Sequence, residues 1–255
     1  TTTNASTLEA QRQAARQRQR RIIYNDDTGL SRVPPAPLTA EQYLAGEVIP
    51  LANTLVDTFS VDTTAGSFGV FGHRTRTGQM FLVQEGRYRH NMLPALAQAG
   101  TDVLELWIQQ ARQLRKEVFW SVRMNDTHDA SNPLLFPDIK RAHPDWLMGT
   151  AEKPPAHGRW TAVDYGRPEV RDYILNCIVD VVTRYDIDGV ELDFWRHPVL
   201  FRSTTRGQPA QPDEIAALTD LVRRIRSAMD AKSRKRGHPL VLAIKTPDSP
   251  AYSLA

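Results

Sequence analysis

The segment Tyr185-Asp186-Ile187-Asp188-Gly189-Val190-Glu191-Leu192-Asp193-Phe194-Trp195-Arg196-His197-Pro198 constrains this chain more than any other. Val190, Leu192 and Phe194 alternate with Glu191, Asp193 and Trp195, the period-two pattern of a β-strand. A half-buried strand would carry Lys or Thr on its wet side, whereas this one carries two acids and a tryptophan. The preceding residues hold an apolar stripe (Val170, Ile174, Cys177, Ile178, Val181), so a helix covers one face. A strand between two covered faces belongs to a parallel α/β sheet, and its acids then look into an enclosed space. Burying two carboxylates without compensation costs several kcal/mol each. A structural ion-pair cluster would explain them. A site explains them better, because parallel sheets place their chemistry at the carboxyl ends of strands.

Strand and helix signals alternate along the chain. Short strands are expected at Arg21–Tyr24, Thr54–Phe59, Glu117–Met124, around Val190–Phe194, and at Leu240–Lys245. The first ends in the turn signal Asn25-Asp26-Asp27-Thr28-Gly29 and a Pro-rich loop at 33–38. Helices are expected from Thr39, over about 101–116, over Pro168–Tyr185 and from Pro212. A Gly/aromatic loop covers 63–78, and a Pro-rich insertion covers 130–160. Residues 1–20 read as a polar tail, and 21–255 as one domain. The fold class is α/β: a (β/α)8 TIM barrel with about the first five βα units present. A closed barrel needs about three more units, so a C-terminally truncated barrel is expected.

At 255 residues the chain can bury a full core. Its net charge of +3 comes partly from basic clusters on otherwise amphipathic helices, without a nucleic-acid motif, so solvated outer faces are expected and no nucleic-acid partner. No segment has the length of a membrane span, and no membrane partner is expected. One cysteine, Cys177, excludes an internal disulfide and lies on the apolar stripe. The start TTTNAST lacks an initiating Met, and a removed secretory signal with a periplasmic or extracellular setting is the expectation. Gly-rich phosphate loops are absent, and no cofactor is expected.

Aligned by their carboxyl ends, the third strand offers Ser121, Arg123 and Asn125 to the lumen, the fourth Glu191, Asp193 and Trp195, and the fifth Ala243 and Lys245. Two cations would flank two acids and favour their charged forms. Asp193, nearest the mouth, is the candidate nucleophile or charge stabiliser. Glu191, one pleat deeper, is expected to hold Arg123 or Lys245. Trp195 and Trp160 are candidate sugar platforms. Arg196 would help orient Asp193, while His197 and Asn125 would bond substrate hydroxyls, and Asp26 is counted with the substrate contacts. Glycoside hydrolysis usually needs a second, protonated carboxyl. Asp126, Asp129 and Asp164 are loop candidates, Asp126 being the one carried forward, and Asp248 after the fifth strand is not an obvious buried acid. A metal site from Asp126, His128, Asp129 and His197 is the competing chemistry, unsupported by any H-x-H or H-E-x-x-H motif.

DIDGVELDFWRHP, with RIIYNDDTG, LVDTFSVDTTAG and VFWSVRMNDTHD, resembles glycosyl-hydrolase-like family 10, TIM-barrel proteins distantly similar to amylases. The resemblance spans about residues 21–250. It implies a glycosidase acting on an oligo- or polysaccharide, with Asp193 at the strand-four aspartate of the G-x-R-x-D pattern. The usual Arg of that pattern is Glu191 here, so its supporting role would pass to Arg123. Against the chitinase pattern D-G-x-D-x-D-x-E, Trp195 stands where the Glu should be. A non-catalytic carbohydrate-binding barrel and a metal-dependent hydrolase remain as alternatives.

Overall fold

The computed structural model describes residues 5–27 and 39–247. Thr28, Gly29, the 33–38 loop and Asp248 lie outside them. In chain order the elements are α1 (Ala5–Gln17), β1 (Ile23–Asp26), α2 (Ala40–Glu47), β2 (Thr58–Asp62), β3 (Val70–Phe71), β4 (Gln79–Met80), α3 (Leu93–Gln98), α4 (Val103–Gln113), β5 (Glu117–Arg123), α5 (Asp138–Ala142), α6 (Pro168–Arg184), β6 (Gly189–Asp193), α7 (Pro212–Arg236) and β7 (Val241–Lys245).

The main sheet has the order β1-β2-β5-β6-β7, and every pairing is parallel. Strand follows strand without a reversal of direction around the sheet, unlike a doubly wound fold, in which the order switches. The sheet is also tightly curled. Asn25 Nδ2 on β1 donates to Glu191 Oε1 on β6 at 3.3 Å, although two strands lie between them. A flat sheet would hold those strands about 14 Å apart, three strand spacings of roughly 4.8 Å.

The outer face carries Phe59, Val61, Trp120, Val122, Val190 and Leu192, all buried beneath the helices. The Phe59 and Trp107 rings meet edge-on at 5.2 Å, and the α6 stripe Val170, Ile174, Cys177, Ile178 and Val181 is buried throughout. β2, β5 and β6 are covered on both sides, with apolar residues on the outer face and Ser60, Asp62, Ser121, Arg123, Glu191 and Asp193 on the inner one. Capping marks the helix ends. Asp102 accepts from the Leu104 and Glu105 amides to start α4. Gln211 and Glu214 form a capping box on α7, which ends at Gly237 with φ 79°.

The second strand runs Thr58–Asp62 rather than Thr54–Phe59. Residues 54–57 contribute turn and carbonyl contacts instead, with the Thr54 and Val56 carbonyls bonded by Lys116. The Gly/aromatic loop folds into the small β3–β4 sheet. The polar N-terminal segment includes α1, which lies against α7 with Arg12 bridged to Asp230 at 3.0 Å. No helix among the described residues is long and apolar enough to cross a membrane.

Candidate active site

Register stacks the lumen side chains in layers. The lowest is Ser60, Phe119, Gly189 and Val241. Above it stand Asp62, Ser121, Glu191 and Ala243, and at the mouth Arg123, Asp193 and Lys245. Asp193 is 3% exposed. Its Oδ1 accepts the backbone amides of Trp195 and Arg196 at 2.9 and 3.0 Å, and its Oδ2 faces Lys245 Nζ at 3.2 Å. The turn after β6 thus folds back onto its own terminal carboxyl, so Asp193 meets donors on both oxygens.

Arg123 is the hub. Its guanidinium reaches Asp62 and Asp126, each at 2.8 Å, and also Asp27. One cation among three acids cannot neutralise them all, and the acids separate by environment. Burial pushes Asp62 well above the usual carboxylate range, against the Thr64 hydrogen bonds, and the charges of Asp126 and Asp193 add to the rise. Burial opposes the charge on Asp126 too. There the His128 hydrogen bond and Arg123 outweigh it and hold the carboxyl below the usual range.

Asp126 Oδ1 bonds His128 Nδ1 at 2.6 Å, and Arg196 Nη2 lies 2.9 Å from His128 Nε2. A guanidinium can only donate, so Nε2 accepts and Nδ1 carries the proton given to Asp126. His197, held at φ 61°, accepts the Thr127 amide on Nδ1 at 3.2 Å. Burial, helped by neighbouring cations, lowers it to about 4. Asp126, His128 and His197 bring ligand atoms within 4.8 Å of one another. In this arrangement His197 Nδ1 accepts from Thr127 and His128 Nε2 from Arg196, so the three side chains are joined to their surroundings as a hydrogen-bond network.

Several expected roles change. Glu191 meets neither Arg123 nor Lys245 in any described contact; it accepts from Ser121 Oγ at 2.8 Å and from Asn25. Arg123 is already engaged by three other acids. Asn125 uses its amide on the Val163 amide and the Val163 and Val199 carbonyls at 2.9–3.0 Å, bracing two loops rather than facing substrate. Trp160 donates to the Ala130 carbonyl and stacks on Phe136, inside the insertion. Asp26 shares the helix-side face with Val61, while its neighbour Asp27 turns to Arg123. Asp129 is buried against Lys140 at 2.8 Å, and Asp164 pairs with Arg202 at 2.9 Å. Trp195, 47% exposed, remains at the mouth.

Sequence reading passed over Asp27 and Asp62, and it joined Asp126 to His128 only as candidate metal ligands. The signal for Asp62 is present: Phe59 and Val61 alternate with Ser60 and Asp62, as on β6.

A curled, sequentially wound parallel sheet with acids at its carboxyl ends defines an α/β protein whose charged residues gather at one end of the sheet. Residues 84–206 match the family described as Glycosyl hydrolase-like 10, bearing out the resemblance over the part that carries β5, β6, Asp126, His128 and Asp193. Glycosyl hydrolase YngK of Bacillus subtilis (strain 168) is 32% identical over 102 residues, 39% of this chain and 19% of that protein. Alpha-galactosidase AgaA of Geobacillus stearothermophilus is 36% identical over 78 residues, 30% of this chain and 10% of that protein. Alpha-L-fucosidase isoenzyme 2 from Paenibacillus thiaminolyticus shares the fold, with a TM-score of 0.54 at 17% identity, over 88% of this chain and 32% of that one. The matches thus span at most about a third of these relatives' own lengths.

Proposed function

We propose that the protein is a glycoside hydrolase acting on an oligo- or polysaccharide, with Asp193 as nucleophile or electrostatic stabiliser of a cationic transition state. One observation carries the reading: Asp193 stands at the mouth of the curled sheet with both oxygens met by donors, two backbone amides and Lys245. A carboxylate met by donors on both oxygens is held in one orientation toward the mouth. Trp195 offers an exposed ring beside it for a sugar face. The family match over residues 84–206 supports the same class.

We further propose that the sheet is the first five strands of a (β/α)8 barrel. The sequential parallel order and the β1–β6 side-chain contact support it. So does β7, the edge of the sheet among the described residues, whose residues are all partly or fully exposed, beside an apolar cavity of about 450 Å³ lined by Phe194, Leu218, Val222 and Ile244. Another βα unit would cover both.

Reducing-sugar release from a panel of neutral and acidic glycans tests the activity, with Asp193→Asn alongside and binding followed on the same panel. We expect release that falls by roughly 10³-fold or more in the variant. Binding without release by the wild type would instead identify a carbohydrate-binding protein.

A further inference from the structure

We infer that His128, oriented by Asp126, is the proton donor and acceptor that works opposite Asp193; this rests on the glycosidase reading above. Among the described residues, Asp62, Glu191 and Asp126 lie too deep to give a proton to a departing sugar oxygen at the mouth, and Asp27, although its side chain is 62% exposed, is tied to the Arg123 guanidinium. Asp62 lies one layer below Asp193, 3% exposed, with its oxygens on the Thr64 amide and Arg123. Glu191 shares that lower layer. Asp126 is fully buried between Arg123 and His128. His128 is the titratable group that this network presents outward, with 30% of its side chain exposed.

Its setting is that of an acid–base imidazole. A buried carboxylate holds Nδ1 at 2.6 Å and fixes the tautomer, leaving Nε2 as the working atom. Arg196 couples that atom to Asp193, since its backbone amide bonds Asp193 Oδ1 while its guanidinium rests on Nε2. The gap between the two groups is therefore spanned by a single arginine side chain. Once Nε2 takes a proton it cannot accept from Arg196, so the guanidinium leaves and the N–H is free to meet substrate. The other groups facing His128 are Asp126 and the His197 ring at 4.9 Å, with Arg159 holding the Thr127 carbonyl behind.

In the reaction the His128 imidazolium gives its Nε2 proton to the glycosidic oxygen as the bond to the anomeric carbon breaks, and Asp193 bonds to or stabilises that carbon. Neutral imidazole then takes a proton from the attacking water, whose oxygen joins the anomeric carbon. Both side chains are restored, and one bond plus one water has become two hydroxyl groups.

The test compares wild type with His128→Gln on glycosyl fluorides, whose leaving group needs no proton, and on alkyl glycosides of the same sugars, whose leaving group does. In kcat/KM, which reports only the steps up to cleavage of the bond to the anomeric carbon, we expect a loss of about 10²-fold or more on the alkyl glycosides, a loss under about tenfold on the fluorides, and disappearance of the alkaline limb for the alkyl glycosides in the variant. Equal losses on both sets, or an unchanged alkaline limb, would overturn the assignment while leaving the hydrolase reading intact. A wild type that cleaves neither set overturns both. Should His128→Gln not fold, ¹⁵N spectra of histidine-labelled wild type decide. An Nδ1–H tautomer at His128 that is lost in Asp126→Asn supports the dyad, and an Nε2–H tautomer refutes it.

Discussion

At the scale of single residues, the site is governed by how few cations serve its acids. Arg123 faces Asp27, Asp62 and Asp126 with its side chain 9% exposed. Removing it takes the cation away from the buried Asp62 and Asp126, so Arg123→Met should lower stability by about 3–5 kcal/mol in urea melts. Lys140 and Asp129 pose the same question in the insertion, where both side chains are wholly buried. Asp129 also accepts from Thr161 at 2.9 Å. Lys140→Met alone should cost a similar amount, whereas Lys140→Met with Asp129→Leu should recover much of it, a contrast that a double-mutant cycle reads directly. Cys177 shows the opposite kind of burial. Desolvation pushes its thiol up to about 12, so it should resist alkylation at pH 8 in the native protein and react only after unfolding.

Among the elements, β6 shows why a short strand can be strict about its sequence. At Gly189 an added Cβ would sit 2.6 Å from the Val241 carbonyl and 2.7 Å from the Phe119 ring. The absence of a side chain lets Phe119 close the floor of the lumen under the acid layers. Gly189→Ala should therefore destabilise by about 1–3 kcal/mol, and thermal melting would show it. Helix α7 depends on a different property of glycine, the left-handed residue that ends it at Gly237. The two carboxyl-end acids of β6 were legible because alternation is local. The second strand was placed four residues early, on the apolar residues of Thr54–Phe59, and its true end, Asp62, acquires meaning only beside Ser121 and Glu191.

For the whole molecule, buried histidines set the acid limit of stability. His73 is fully buried, its Nδ1 2.7 Å from Thr63 Oγ1 and its ring among Phe71, Trp120 and Tyr185. Burial lowers it to about 4, and His197 is lowered to about 4 as well. Each folded value lies below the unfolded one near 6.5. As pH falls through that value the unfolded chain takes up protons that the folded chain refuses until about pH 4. Stability should thus fall across this window, by on the order of 3 kcal/mol for His73. Urea melts at intervals from pH 7 to 4 would trace the loss, and His73→Phe should flatten the slope if the ring is accommodated.

The sequence by itself determined the class of fold, the main helices, the inward alternation of β6 and the family resemblance, because periodicity and capping act over neighbouring residues. It also placed Asp193 and Lys245 on one face of their strands. Only the tertiary structure decided which charges meet. Arg123 collects acids from the residue after β1, from β2 and from the loop after β5. Asn25 crosses to Glu191, Asn125 turns to backbone, and Asp126 grips His128. Those contacts join residues 2 to 166 positions apart. They follow from the curl of the sheet and the fold-back of its loops, which bring distant side chains within the few ångströms over which hydrogen bonds and buried charges act.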